Sequence, residues 1–266
     1  MPKFNDWDLK EWKKIEANVD SLWLIPNRDR SGRHCNIYHG NFIPQIPNEL
    51  INRYTKKGEL VIDAFLGSGT TLYECERLQR KCIGLDINEK ILDFVAHNME
   101  RSKYRDYRVR LCDNTNRQES ERCITQSLYE LHAKSAQFVF FHPPYLDIVK
   151  FTNHPNDLSA YRNIQDFVPL FIKSCQNVLR FLQDNRFFAV VVGDVYQNGE
   201  VKPLGFYIMD AIQKHFNVTL KGIVVKNIEG NRGKLGMQTI WRYRALSSDY
   251  FLFKHEYIFI FKKEKQ

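Results

Sequence analysis

Seven short apolar or β-branched runs alternate with longer stretches whose apolar residues recur at helical spacing, from about residue 45 onward. The runs are "LVIDAFL" (60–66), "KCIGLDI" (81–87), "YRVRLCD" (107–113), "QFVFFHP" (137–143), "RFFAVVVGDV" (186–195), "TLKGIVVKN" (219–227) and "EYIFIFKK" (256–263). Helical spacing occupies 46–56, 70–79, 88–101, 119–134, 164–184 and 204–215. Strand and helix in alternation specify βαβ units, so the expected fold class is α/β with a mostly parallel sheet.

In such a sheet, ligands collect outside the carboxyl ends of the strands, near the reversal in strand order. Four of those ends carry polar or rigid residues. The first run ends in Asp63 and enters "FLGSGTT", where Gly67 and Gly69 permit a tight turn and close backbone approach ahead of a helix N-terminus. The second ends in Asp86, a carboxylate able to accept from both hydroxyls of a ribose. The third ends in Asp113. The fourth is cut off by Pro143 and Pro144, which lack amide donors, and is followed by the ring of Tyr145. Each feature has a plainer reading as well. Gly-x-Gly is common strand-to-helix geometry, Asp86 before Asn88 fits a helix cap, and Asp113 before Asn114 fits a turn.

The charge balance, 39 Lys plus Arg against 31 Asp plus Glu for a formal +8, favours a polyanionic partner. The six cysteines are scattered, with neither a C-x-x-C pair nor Cys/His spacing suited to a metal, so reduced thiols and no metal centre are expected. The polar N-terminus lacks a signal-peptide core and no run approaches a membrane span, which implies a cytoplasmic protein without membrane contact.

"DAFLGSGTT" and "HPPY" together resemble the DNA amino-methyltransferases, the adenine-N6 and cytosine-N4 enzymes that use S-adenosyl-L-methionine. Ala64 stands where the family's cofactor loop usually has proline, and His142 where its catalytic motif has Asp, Asn or Ser. "YHGNFIPQIPNELI" (38–51) resembles the family's Phe-x-Pro segment and "HEYIFIFKK" its last strand. The resemblance implies a Rossmann-like, seven-stranded class I methyltransferase sheet flanked by helices, with the last strand antiparallel. It divides the chain into an N-terminal extension (1–37) and a methyltransferase domain (38–266).

The resemblance also assigns residues. Phe42, Asp63, Phe65, Gly67, Ser68, Gly69 and Thr70 are expected around the methionine end of the cofactor or against its rings, Asp86 at the ribose and Asp113 at the adenine amine. His142, Pro143, Pro144 and Tyr145 form the catalytic loop, in which the first residue and the first proline carbonyl accept from the substrate amine while the ring stacks on a flipped base. A neutral imidazole accepts on one nitrogen only, so His142 is either that acceptor or a residue that positions the loop. The segment 228–255 reads as an irregular excursion in which Arg232, Lys234, Arg242 and Arg244 interleave with Trp241, and it is the candidate target-recognition insertion. Implied partners are double-stranded DNA and a cognate restriction endonuclease. An RNA base-amine methyltransferase and a non-catalytic nucleic-acid-binding protein of the same fold remain alternatives.

Overall fold

The computed structural model describes residues 4–34, 40–228, 238–249 and 251–265. Along the chain run β1 (Leu22–Trp23), α1 (Gln45–Tyr54), β2 (Leu60–Asp63), α2 (Thr70–Leu78), β3 (Lys81–Asp86), α3 (Glu89–Met99), β4 (Tyr107–Leu111), α4 (Arg117–Glu130) and β5 (Ala136–Phe141). There follow α5 (Ile164–Leu179), β6 (Leu182–Val192), β7 (Val195–Gln197), β8 (Glu200–Lys202), α6 (Leu204–His215), β9 (Val218–Asn227), α7 (Gln238–Leu246) and β10 (His255–Lys263).

The main sheet has eight strands in the order β1-β9-β10-β6-β5-β2-β3-β4. Only β10 is antiparallel to its neighbours, as expected of the last strand. The eighth strand, β1, was not foreseen. Its two residues are too few for any period to register, and it pairs parallel to Val225 and Lys226 of β9. Asn227 fastens the chain just beyond it, accepting from the Ile25 amide at 2.7 Å and donating to the Ile25 carbonyl at 3.2 Å.

Both faces of the sheet are covered, which explains why its strands read as continuous apolar runs. In β5, Phe138 and Phe140 face α1, α2 and α3 with Ile46, Leu50, Leu72 and Val95, all buried. Val139 and Phe141 face the other way, onto Ile124, Phe167, Phe171, Ile208 and Ile212 of α4, α5 and α6. Pairing of β5 stops at Phe141, one residue before His142 and two before the first proline. The strand order reverses between β2 and β5, so the loops that follow these two strands flank one crevice.

The segment 228–255 is not wholly irregular, since α7 occupies nine of its residues. Its mixed polar and aromatic composition gives no clean apolar stripe, and the helix escaped the sequence reading for that reason.

Candidate active site

The loop after β2 is shaped by carboxylates. Asp63 is buried, accepts from the Phe65 amide at 3.0 Å and from the Thr71 hydroxyl at 2.5 Å, and burial pushes its pKa up to about 6. It holds the turn from beneath. Gly67 and Gly69 both have positive φ, 53° and 90°, and a Cβ at Gly69 would lie 3.0 Å from the Tyr73 ring, so these positions require glycine. Asp86 reaches across from β3, accepting from the Gly67 amide at 2.7 Å and the Asn88 amide at 2.9 Å. Burial raises its pKa to about 6 as well. Asp113 accepts from the Thr115 amide at 2.9 Å and from the Asn156 side chain at 2.6 Å. Thus Asp113 makes the local turn that the plainer reading supposed, whereas Asp86 holds the amide of Asn88, the residue at the N-cap of α3, without that residue making a side-chain cap bond; both carboxylates also line a cavity.

That cavity has a volume of about 660 Å3 and is lined by Phe42, Phe65, Gly67, Thr70, Asp86, Asp113 and the whole of His142–Pro143–Pro144–Tyr145. A drug-sized ligand needs such a volume. Asp63, Ser68 and Gly69 do not line it. Ser68 instead donates to the side-chain oxygen of Asn41, a lining residue, at 2.7 Å. The Asn41 Nδ2 atom is buried without a hydrogen-bond partner, an orphaned donor in a lining residue. Such a donor is costly unless a ligand oxygen meets it.

On the other side of the cavity His142 packs its ring 4.8 Å from that of Phe42 and meets the Tyr145 hydroxyl at 3.2 Å. Tyr145 donates to Glu256 at 3.1 Å, and Glu256 takes a second bond from Lys226 at 2.9 Å. Lys226 and Glu256 are both buried, and their Cα atoms are direct partners across β9 and β10. Burial pushes the His142 pKa down to about 4, and burial likewise holds the Tyr145 phenol well above its usual value. His142 is therefore neutral at pH 7 and Tyr145 is protonated. A Cβ at Gly193 would lie 3.1 Å from the Tyr145 ring, so glycine there gives the ring its place.

Sequence reasoning passed over Lys226 and Glu256. Their signal was a charge directly after the apolar run of β9 and one just before the apolar run of β10, and charges buried at such places are tolerated only when they pair. It also passed over Pro26, Asn27, Arg28 and Arg30, which line the cavity from the N-terminal segment. No periodicity marks them. Of the recognition candidates, Arg232 and Lys234 lie outside the described residues, Trp241 falls on α7, and Arg242 and Arg244 are exposed on the same helix. Ile228, Phe253 and His255, at the two ends of this excursion, line the cavity. Among the described residues no group of His, Cys, Asp and Glu could hold a metal ion, and no helix is long and apolar enough to cross a membrane.

Comparison with known proteins bears on the same elements. Residues 3–97 match the family model described as DNA methylase. The chain is 33% identical over 88 residues to the type II methyltransferase M.MjaII of Methanocaldococcus jannaschii, covering 32% of this chain and 16% of that one. It is 30% identical over 107 residues to the type II methyltransferase M.HpaI of Haemophilus parainfluenzae, covering 37% and 32%. These two matches span 16% and 32% of the length of the curated relatives. Among solved structures, TrmN from Thermus thermophilus superposes with a TM-score of 0.53 at 14% identity, over 85% of this chain and 50% of that one. The [4+2]-cyclase SpnF superposes with a TM-score of 0.52 at 12% identity, over 87% and 89%. Likeness at such identities concerns the fold, the Rossmann-like class I methyltransferase sheet.

Proposed function

We propose, from the premise that residues 3–97 carry the DNA methylase family's sequence, that this protein transfers a methyl group from S-adenosyl-L-methionine to the exocyclic amine of adenine (N6) or cytosine (N4) in double-stranded DNA. The observation that carries the reading is the single cavity shared by the glycine loop, Asp86 and Asp113 on one side and His142 to Tyr145 on the other. The residues present fit the cofactor. Asp86 retains acceptor capacity for ribose hydroxyls, Asp113 for an amine, and the orphaned Asn41 amide meets the carboxylate of an amino-acid end. S-adenosyl-L-methionine supplies an electrophilic methyl group.

The chain's own part is to make a poor nucleophile adequate. The exocyclic amine shares its lone pair with the ring, and acceptors aimed at its N–H bonds favour the pyramidal nitrogen that can attack. The Pro143 carbonyl and His142 are those acceptors, and Tyr145 lines the space for an extruded base. Residues 228–255 are the target-recognition element of the 38–266 domain, with Arg242 and Arg244 exposed on a helix whose flanking segments root at the cavity. The protein acts in the cytoplasm beside a cognate restriction endonuclease.

The test is incubation with isotopically labelled cofactor and separate DNA and RNA pools, digestion to nucleosides and mass spectrometry. Label in N6-methyladenine or N4-methylcytosine of duplex DNA is expected. Label confined to RNA transfers the chemistry to the other polymer. No label in either, with cofactor bound, leaves a binding protein.

A further inference from the structure

Lys226 and Glu256 form a buried cross-strand pair that lines the cavity, and its free side is directed at the catalytic loop through Tyr145. A buried pair of this kind is costly to desolvate and weak as a source of stability, so its position asks for an explanation beyond folding. We propose that Lys226, Glu256 and Tyr145 are positioning residues that hold His142 in the neutral tautomer with its proton on Nε2, leaving the Nδ1 lone pair for an N–H bond of the substrate amine. This rests on the methyl-transfer reading above.

Glu256, paired with the Lys226 ammonium at 2.9 Å, is a carboxylate and can only accept. The single Tyr145 hydroxyl proton therefore points at Glu256, 3.1 Å away. The Tyr145 oxygen can then only accept from His142, whose Nε2 lies 3.2 Å from it, so Nε2 carries the proton. Among the described residues Nδ1 has no hydrogen-bond partner, and an unprotonated Nδ1 is an acceptor. Burial keeps the ring neutral, Lys226 reinforces this and Glu256 opposes it.

The same chain accounts for a proton. As the amine lone pair forms the new N–C bond, the methyl–sulfur bond breaks with its electron pair staying on sulfur in the departing neutral thioether, and the amine nitrogen is left with four bonds and a positive charge. One N–H bond breaks, its electron pair returns to nitrogen, and the proton passes to Nδ1. The imidazolium keeps Nε2–H on the Tyr145 oxygen, with Glu256 beyond it, and yields the proton to water as product leaves. Positioning of a histidine tautomer by a buried carboxylate is known to carry large rate effects, and here a tyrosine hydroxyl stands between the two.

Long-range proton–nitrogen correlation spectra of 15N-histidine protein, with the His142 signal assigned by its loss in His142→Gln, read the tautomer directly and without substrate. Wild type is expected as Nε2–H. Tyr145→Phe, which removes one oxygen and keeps the ring, is expected to give a mixture of tautomers, unchanged cofactor affinity by calorimetry and a single-turnover rate lower by about a hundredfold. Glu256→Gln moves both readouts the same way. An Nδ1–H tautomer in wild type overturns the proposal, as does a Tyr145→Phe protein that keeps the wild-type tautomer or the wild-type rate. If wild type methylates no nucleic acid, the functional reading fails, whereas the spectra still judge the hydrogen-bond chain.

Discussion

In the glycine-loop half of the site the carboxylates bond largely to nearby chain, Asp113 to Thr115 two positions on, Asp63 beneath the cavity to Thr71 eight positions on and Asp86 to Gly67 19 positions back, while Asp113 takes one further bond from Asn156, 43 positions on. In the His-Pro-Pro-Tyr half the polar groups come from afar, with Tyr145 and Glu256 separated by 111 positions and Lys226 and Glu256 by 30. The first half mostly uses backbone amides, which survive substitution of the residue that bears them. The second depends on two buried side-chain charges, neither of which can be satisfied alone. The glycine loop can thus be written locally, whereas the arrangement around the His-Pro-Pro-Tyr loop needs three strands and the turn after one of them to be in register.

The largest expected effect breaks the second half. Glu256→Ala leaves the Lys226 ammonium buried and unpaired and should cost about 3–5 kcal/mol in denaturant unfolding. Glu256→Leu combined with Lys226→Met should recover most of that loss. Equal stability of Glu256→Ala and wild type would remove the contrast between the halves. Next comes the loop half, where Asp86→Ala should weaken S-adenosyl-L-methionine binding by about 2–4 kcal/mol, read by calorimetric titration. Unchanged affinity there separates Asp86 from the ribose.

The two halves also titrate in opposite senses. His142 has its pKa lowered from 6.5 to about 4, so its contribution to stability is present above 6.5 and is lost as pH falls through 4. Asp63 and Asp86 have theirs raised from 3.8 to about 6, so their contributions are present below 3.8 and are lost as pH rises through 6. His142→Gln removes only the first of these. Relative to that variant, wild type should lose at most about 3 kcal/mol between pH 6.5 and 4 in urea titrations, and a constant difference across the series contradicts the assignment.

The smallest effect concerns recognition. Arg242→Ala or Arg244→Ala should leave cofactor binding intact and either lower the salt slope of DNA binding by about one unit or relax preference at one base pair. If affinity, preference and salt slope all stay at wild-type values, α7 is a structural lobe, and recognition belongs to the 146–163 loop or the N-terminal segment.

Much of the fold was legible because its signals are local. The run 219–227 is β9 to within one residue, and the prolines at 143 and 144 stand just beyond the end of β5. Ends that depend on side chains were less so. The run 60–66 stops pairing at Asp63, because that carboxylate captures the Phe65 amide and turns the chain. The hairpin of β7 and β8 has a readable turn, Asn198 and Gly199 both at positive φ, but strands of three residues are too short to announce themselves.

The sequence by itself determined a doubly covered, mostly parallel sheet, a glycine turn ahead of a helix, and carboxylates and prolines at successive strand ends, since each rests on periodicity or on the backbone limits of one residue type. Tertiary structure alone decided that Lys226 lies opposite Glu256, that this pair reaches Tyr145, and that Pro26, Asn27, Arg28 and Arg30 return to line the cavity. Register between β9 and β10 and the path of the N-terminal segment are fixed by packing between residues far apart in the chain, and no local pattern of residue types encodes that choice.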